Sequence, residues 1–254
     1  MRTQTRSGFT IIEVMLFLAI TGALTVAILV GSGAAINRQR YRDSVNSFKG
    51  LIQEQYGQVS NVVNSETRNP SCSWSAAELT LNDNEDSKQA RGTSDCLIIG
   101  RFLLIHPTTT ATYNVIGHPP NTTNQTGDSN LLGEYAMTLE GPEDYEISWG
   151  AQLVNPGGNT PVTAGVLVVR SPASGSLVTY VRDVPATIGS QDYSQLSTVI
   201  KEMVHDSNMV QRDFCVDSEG ALSNFSRRQA VRIKAYAASQ SAVEVPLEED
   251  NVCS

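Results

Sequence analysis

The chain opens with a long apolar run, continues as a periodic helical pattern and then changes to short, strand-like segments. Residues 9–30 are almost entirely apolar and contain one ionisable residue, Glu13. About 20 such residues suffice to cross the hydrocarbon core of a bilayer as a helix. Further along, apolar residues recur every three or four positions, which is the period of one helix face; they are Tyr41, Val45, Phe48, Ile52, Tyr56, Val59 and Val63. Because the sequence has no proline between residues 9 and 69, it predicts one helix that leads from a membrane-length segment into a folded domain.

Strand signals dominate the rest of the chain after a polar, loop-like stretch at 65–95. We predict strands at 96–105, 112–116, 135–140, 145–152, 165–170, 177–181, 210–216, 230–237 and 242–246. Turn residues at 171–175 and 217–220 predict two hairpins, and an amphipathic pattern at 194–206 predicts a short helix. One long helix followed by a run of strands indicates the α+β class, with the helix packed on an antiparallel β-sheet head and room for a second small sheet.

Charge and composition narrow the class of protein. The 254 residues carry a formal net charge of −8 and are 40% hydrophobic, which suits a folded core with a polar surface. Apart from Arg38, Arg40 and Arg42 the basic residues are scattered, so no stripe for nucleic acid is visible. That trio fits either a cluster flanking a membrane or a solvated helix face.

The four cysteines, Cys72, Cys96, Cys215 and Cys253, indicate disulfides in an oxidising compartment. They form no CxxC pair and lie far from the histidines in sequence, which argues against a zinc site. Four cysteines allow three pairings; we favour Cys72–Cys96 and Cys215–Cys253 because each closes a local loop. In the loop-closure model each would contribute about 3–4 kcal/mol.

Glu13 is compatible with membrane insertion but is not explained by it. The Leu, Ile, Val and Phe residues of the run contribute about −4 to −8 kcal/mol, against about +3 kcal/mol for a central acid. Arg2 and Arg6 precede the run, which favours a cytoplasmic N-terminus and an exported remainder. A secretory signal peptide cleaved near 31–35 and a plain single-pass anchor are the alternatives.

The residues around Glu13 supply a more specific interpretation. Gly8 is followed by Phe9-Thr10-Ile11-Ile12-Glu13-Val14 and an unbroken apolar helix. This motif resembles the N-terminus of the type IV pilin and type II secretion pseudopilin superfamily. The resemblance implies that a prepilin peptidase cuts between Gly8 and Phe9 and that the new amino group of Phe9 is methylated. It divides the chain into a leader (1–8), a transmembrane or filament-core helix (9–33), an amphipathic helix (34–64) and a globular head (65–254).

In such a filament, Glu13 of one subunit would pair with the Phe9 ammonium of its neighbour. An ion pair in a low-dielectric core penalises either charge left alone, so it would fix the axial register of the helices. Many family members have a proline about two-thirds along this helix, and this chain does not. Gly22 and the glycines at 31–33 are therefore where we expect the helix to bend or melt in a filament.

No enzyme motif is present: the sequence has no Walker loop, GxGxxG after a strand, HExxH or GxSxG. The residues at 82–86 have the oxygen density of a calcium loop without its glycine and distal glutamate. Some pseudopilins bind calcium, and a solvated acidic turn is the alternative.

The expected function is structural: the chain is expected to be a subunit of a type IV pilus-like filament. The large head favours a minor subunit. The expected partners are other pilin subunits, the prepilin peptidase, an assembly ATPase with its platform protein, and the cytoplasmic membrane before assembly. An extracellular surface or DNA could be a ligand. The alternatives are a type II secretion pseudopilin and a monomeric membrane-anchored adhesin or binding protein.

Overall fold

The computed structural model describes residues 10–61, 71–75, 78–82, 97–121, 125–158, 160–218 and 228–253. The chain divides into two compact units, Met1–Arg42 and Asp43–Ser254. One helix, α1 (Ile11–Ser60), begins in the first unit and ends in the second. We call the part of α1 from Ile11 to Arg42 the stem, and the second unit the head.

The head contains strands and short helices in addition to the end of α1. In chain order they are β1 (Ser71–Ser75), β2 (Glu78–Asn82), β3 (Leu97–Ile105), β4 (Thr109–His118), α2 (Asp128–Gly133), β5 (Ala136–Glu146), β6 (Gln152–Val154), β7 (Ala164–Arg170), β8 (Leu177–Asp183), α3 (Tyr193–Met203), β9 (Arg212–Asp217), β10 (Gln229–Ile233) and β11 (Val243–Glu244).

These strands form three sheets in the described residues, and every pairing is antiparallel. The largest has five strands in the order β5-β4-β3-β7-β8, the second has four in the order β11-β10-β9-β6, and β1 pairs with β2 alone. The hairpin predicted at 171–175 joins β7 to β8. The α+β class is as predicted, and the second sheet is larger than expected.

The five-stranded sheet packs against α3 on one face and α1 on the other. Successive side chains of each strand point to opposite faces, so both helices find partners on the same strands. Phe102, Leu104, Tyr113, Leu167 and Tyr180 face one way and pack with Leu196, Ile200 and Met203 of α3. Residues of opposite parity on the same strands, such as Arg101 and Thr179, face α1 and hydrogen-bond to it. The core therefore lies in two layers, one on each side of this sheet.

The predicted apolar stripe of α1 is confirmed where the helix crosses the head. Its members there are at most 2% exposed; they are Val45, Phe48, Ile52, Tyr56 and Val59. Tyr41 lies in the other unit, and Val63 lies outside the described residues. The period of three and four positions thus identified the buried face correctly.

Polar contacts fix α1 to both larger sheets. The Gln53 amide donates to the Gln240 and Val243 carbonyls at 3.0 and 3.1 Å, and the Thr179 hydroxyl donates to the Tyr56 hydroxyl at 3.0 Å. Arg170 on β7 donates to the Ser60 carbonyl at 2.9 Å. The last contact satisfies one of the carbonyls that a helix C-terminus leaves without an intrahelical partner.

The strand predicted at 145–152 is wrong. β5 continues from Ala136 to Glu146 through Gly141, which lies between the two strands predicted at 135–140 and 145–152. Gly141 has φ 134°, a conformation that glycine adopts readily, and the pairing with β4 shifts register between Thr112 and Asn114. After β5 the chain forms a 3₁₀ turn at Ser148–Gly150 and then enters β6.

Other boundaries differ for local reasons. The strand predicted at 230–237 ends at Ile233, because the chain then turns and Tyr236 takes a left-handed conformation with φ 54°. The stretch at 65–95 was predicted to be a loop, yet it contains the β1–β2 hairpin. Alternation in such short polar strands is too weak to distinguish them from a loop. The helix predicted at 194–206 is α3, which ends at Met203.

Candidate functional site

The stem exposes its apolar side chains on all sides. Residues such as Ile11, Phe17 and Leu29 are 77%, 67% and 67% exposed, and the most apolar 18-residue window of α1 has a mean hydropathy of 2.5. Within the described residues, α1 alone is long and apolar enough to cross a membrane. A helix that is apolar around its whole circumference requires lipid or other apolar helices around it.

Glu13 lies in the first turn of α1, and its side chain is exposed. Its N–H faces the Thr10 hydroxyl oxygen, which accepts at 3.3 Å, and the N–H of Val14 donates to the Thr10 carbonyl at 3.2 Å. A carboxylate in the first turn also interacts favourably with the helix dipole, by about 0.3–1 kcal/mol. The start of α1 therefore stabilises the Glu13 carboxylate slightly, by much less than burial of an unpaired charge would cost, a contribution that the sequence pattern did not reveal.

The threonine and serine hydroxyl groups of the stem donate within the helix. Thr21 donates to the Phe17 carbonyl at 2.8 Å, Thr25 to the Thr21 carbonyl at 2.8 Å, and Ser32 to the Ile28 carbonyl at 2.7 Å. These bonds leave no hydroxyl proton that needs water, which suits an apolar environment. Glu13 is therefore the polar side chain of the apolar run that most needs a partner in such an environment.

The glycines of the stem leave space for a close neighbour. Apart from the neighbouring residues and nearby backbone of α1 itself, a Cβ atom added at Gly22, Gly31 or Gly33 would meet no atom within 4 Å. Helices pack most closely where small residues let their backbones approach. In the structure α1 continues without a break through all three positions, and the bend expected in a filament stays a prediction.

The processing site predicted at Gly8 and Phe9 lies outside the described residues, which begin at residue 10. Of the stretch at 82–86, considered as a calcium loop or an acidic turn, residues 83–86 also lie outside the described residues. In the part of the chain that the structure describes, no three His, Cys, Asp or Glu side chains form a metal-binding group.

The structure joins Cys215 to Cys253, the C-terminal pair favoured by loop closure, with 5.5 Å between the two Cα atoms. This disulfide packs with Val154 and Ala230 on the face of the four-stranded sheet opposite to the Phe214 side chain. It attaches the end of the chain to β9. The predicted Cys72–Cys96 pair is not tested, because Cys96 and the Cys72 side chain lie outside what the structure describes.

A buried arginine, which the sequence pattern did not identify, connects α1 to the five-stranded sheet. The Arg101 side chain is only 8% exposed. Its Nε donates to Gln55 Oε1 of α1 at 2.9 Å, and its Nη2 donates to Thr112 Oγ1 at 3.2 Å and to Glu143 Oε2 at 3.3 Å. Asn114 completes the ring of acceptors. The guanidinium has several acceptors, as a buried charge requires, and these contacts attach α1 to the five-stranded sheet.

The remaining polar groups of the head do not form a catalytic constellation in the described residues. Burial lowers the pKa of His106, with a hydrogen bond to the Ile188 backbone opposing the shift. His205 accepts from the backbone N–H of Ser207. A shallow cleft of about 300 Å³ between β8 and α3 is lined by side chains such as Ile188 and Thr198 and is bordered by an ion pair between Arg182 and Glu202. His205 Nδ1 also lies 2.8 Å from the Ser207 hydroxyl, but this exposed pair is a local contact within one 3₁₀ turn and does not line the cleft.

Two aromatic residues combine exposure with an unfavourable backbone conformation. Trp149 has φ 61° and is 58% exposed, and Tyr236 has φ 54° and is 75% exposed. They are the two non-glycine residues with positive φ in the part of the chain that the structure describes. A non-glycine residue in this region costs of order 1–3 kcal/mol, and such strain is concentrated at functional positions.

An apolar helix that joins an antiparallel sheet is compatible with a pilin-like shape. No protein-family model, curated protein or solved structure matches the chain.

Proposed function

We propose that the chain is a structural subunit of a type IV pilus-like filament that assembles through its stem. The observation that carries this proposal is the exposure of the stem's apolar side chains, with one carboxylate, Glu13, in the first turn. An apolar surface of this extent on an otherwise polar protein marks a site for lipid or for another protein. Before assembly the bilayer would cover it; afterwards the stems of neighbouring subunits would.

The role proposed for Glu13 depends on cleavage between Gly8 and Phe9. Cleavage would create an ammonium group on Phe9, four residues before the carboxylate. In a bundle of parallel stems, Glu13 of one subunit meets the Phe9 ammonium of its neighbour when the two helices are staggered by about four residues, or roughly 6 Å. Removing one partner of a buried ion pair costs about 3–5 kcal/mol, so this stagger would be strongly preferred over others.

The proposed function implies particular partners and a particular location for the chain. The prepilin peptidase would process the chain, and an assembly ATPase with its platform protein would extract the stem from the cytoplasmic membrane. The head would be exported, where the Cys215–Cys253 disulfide can persist. The acidic head would face outward and could contact an extracellular surface or DNA. We propose no enzymatic activity.

Substitution of Glu13 tests this function. Glu13→Ala and Glu13→Gln should lower the yield of sheared filaments by more than about tenfold, because each leaves the Phe9 ammonium unpaired in an apolar core. Glu54→Gln is the matched control, since Glu54 is an exposed acid on the same helix within the head. The leader should still be removed from all three variants. An unchanged filament yield from the Glu13 variants would contradict the proposal.

The alternatives predict different locations for the mature chain. A type II secretion pseudopilin would use the same stem in a periplasmic filament. Deleting the chain would then stop protein secretion, which distinguishes this alternative from a pilus subunit. A membrane-anchored adhesin would use the stem as a tether, so it would stay monomeric in the membrane and would not require Glu13.

A further inference from the structure

The charged side chains of the stem lie near its two ends. Glu13 is in the first turn of α1, and three arginines, Arg38, Arg40 and Arg42, are at the end of the stem. Residues 14–37 between them carry no charged side chain. Because α1 is continuous and rises about 1.5 Å per residue, Glu13 lies about 38 Å from Arg38 and about 44 Å from Arg42 along the helix. A bilayer with its headgroups is about 40–45 Å thick, so the stem separates its charges by the thickness of a membrane.

The three arginines surround the helix instead of sharing one face. At about 100° per residue, Arg38 and Arg42 lie about 40° apart, and Arg40 lies on the opposite side of α1. All three residues are exposed. A helix that is wet on one face collects its charges on that face, whereas charges on both sides suit a polar layer that encircles the helix. We call these three residues the arginine collar.

We propose that the arginine collar binds phosphate groups of the lipid leaflet on the head side of the membrane, and that this contact sets the depth of the stem before assembly. The inference rests on the proposed function, in which the stem lies in a bilayer until it is extracted. A guanidinium matches a phosphate with two parallel N–H···O bonds. Clusters of basic residues that adjoin a membrane helix are attracted to lipid headgroups.

The direction of the side chains favours this contact. Side chains of an α-helix point back toward its N-terminus, so the collar leans toward the apolar run and the membrane. Arg38 and Arg40 also interact within the chain. A guanidinium has five N–H donors, so binding a phosphate does not require those interactions to break.

The collar places the stem at a different depth from the one that the apolar run alone prefers. The middle of the run at 9–30 falls between residues 19 and 20, whereas the middle of the span from Glu13 to Arg38 falls between residues 25 and 26. These two middles are about 9 Å apart along α1. Because arginine side chains cover part of this distance themselves, we expect the collar to draw the stem roughly 5–9 Å toward the cytoplasmic side.

This depth changes the surroundings of Glu13. With the apolar run centred, Glu13 would lie about 10 Å from the midplane, inside a hydrocarbon layer that extends about 15 Å to each side. With the collar on its phosphates, Glu13 would lie about 15–19 Å from the midplane, where its carboxylate reaches headgroups and water. The subunit then holds no unpaired buried charge in the membrane, and Glu13 needs the Phe9 ammonium only when the stem enters an apolar filament core.

Depth measurements on the unassembled chain test the proposal. The full chain is inserted into vesicles of phosphatidylcholine and phosphatidylglycerol with a nitroxide on Leu16→Cys or Leu29→Cys; the two leucines are 62% and 67% exposed. Collisions of the nitroxide with a water-soluble nickel complex, measured by electron paramagnetic resonance, give its depth. The chain without an added cysteine, labelled in the same way, supplies the background from the native cysteines.

Removing the collar should move the two labels in opposite senses. In the triple variant Arg38→Gln/Arg40→Gln/Arg42→Gln, the label at Leu29 should lie roughly 5–9 Å closer to water and the label at Leu16 deeper by a similar distance. Opposite changes indicate that the helix slides, whereas a collar that is merely solvated would produce neither change. Unchanged depths in the triple variant would overturn the inference.

A matched control removes the same number of positive charges from exposed positions of the head. It should leave both labels at the depth of the unmodified chain; the control is Arg182→Gln/Lys201→Gln/Lys234→Gln. A shift of the same size in this control would mean that net charge, and not the collar, sets the depth, which would also contradict the inference.

A second bilayer tests phosphate as the ligand. In vesicles of digalactosyldiacylglycerol, which has no phosphate, the unmodified chain should take the depth of the triple variant. The same depth in both lipids would overturn the inference. If the unmodified chain did not cross the bilayer at all, the proposed function would fail as well; insertion at a depth that does not depend on the collar would refute this inference alone.

Discussion

Phe17 and Phe48 lie on the same helix in opposite surroundings. Phe17, in the stem, is 67% exposed, whereas Phe48, in the head, is 2% exposed and meets the Phe214 ring edge-on at 5.8 Å between centroids. The stem is apolar around its circumference, and the head part of α1 is apolar along one stripe. The comparison shows that one helix can serve two environments, because the distribution of apolar residues around it changes from complete to one-sided.

Truncating the two phenylalanines should separate folding from assembly. Phe48→Ala should destabilise the head by about 3–5 kcal/mol, since it leaves a cavity between α1 and the face of the four-stranded sheet that carries Phe214. Phe17→Ala should leave head stability unchanged and lower filament yield, because it removes apolar contact only between stems. Urea unfolding of the full chain in detergent, with filament yield measured in parallel, checks both. Equal losses of stability from the two variants would break the distinction between stem and head.

The disulfide should stabilise the head and have no effect on the stem. Cys215 and Cys253 are 38 residues apart, and closing a loop of that length contributes about 4 kcal/mol in the loop-closure model. The double variant Cys215→Ser/Cys253→Ser should therefore unfold at a clearly lower urea concentration than the oxidised protein. Adding a reductant to the unmodified protein should lower its midpoint at least as far as the double substitution does, because the reductant opens this disulfide and any other in the head. A midpoint equal to that of the oxidised protein would show that the loop contributes little.

Arg101 should contribute more to the stability of the head than an exposed arginine does, because its hydrogen-bond partners are buried with it. Arg101→Met should destabilise the head by about 1–3 kcal/mol, because Gln55, Thr112 and Asn114 lose their donor. Arg182→Met, which removes an ion pair whose arginine is 42% exposed, should cost less than about 1 kcal/mol. The unfolding midpoints of the two variants give the comparison. A larger cost for Arg182→Met would contradict the attachment role assigned to Arg101.

The smallest expected effect is a pH dependence of the head from His106. Burial lowers the pKa of its imidazole in the folded state, so the unfolded chain binds the proton more readily. Stability from this group is present above the ordinary histidine pKa of about 6.5 and is lost as pH falls below it. His106→Gln should therefore show a smaller loss of stability than the unmodified chain between pH 7.5 and 5.5. Identical losses would mean that other groups account for the whole pH dependence.

The sequence predicted the elements that depend on local periodicity and missed those that depend on tertiary contacts. The stripe from Val45 to Val59 follows from spacing alone, because the helix period determines which side chains share a face. The burial of Arg101 does not, since an arginine in a strand is ordinarily exposed and its acceptors come from α1, β4 and β5. The strand β5 was divided wrongly because Gly141 followed by Pro142 usually indicates a turn.

The residues singled out in the candidate site also differ in whether the sequence alone could identify them. Glu13 could be identified from sequence because a charge within an apolar run is conspicuous in one dimension. Trp149 and Tyr236 could not, because neither a positive φ nor the exposure of an aromatic side chain can be read from residue type. Their placement at opposite ends of one sheet depends on the β6–β9 and β9–β10 registers, which pair residues distant in the chain.

The most direct test of the stem's role is the mass of the N-terminal peptide of the chain recovered from sheared filaments. If the stem is a processed assembly helix, the peptide should begin at Phe9 and carry one methyl group on its amino nitrogen. A chain that retains Met1, or one that begins near residue 35, would place no ammonium beside Glu13 and would contradict the account.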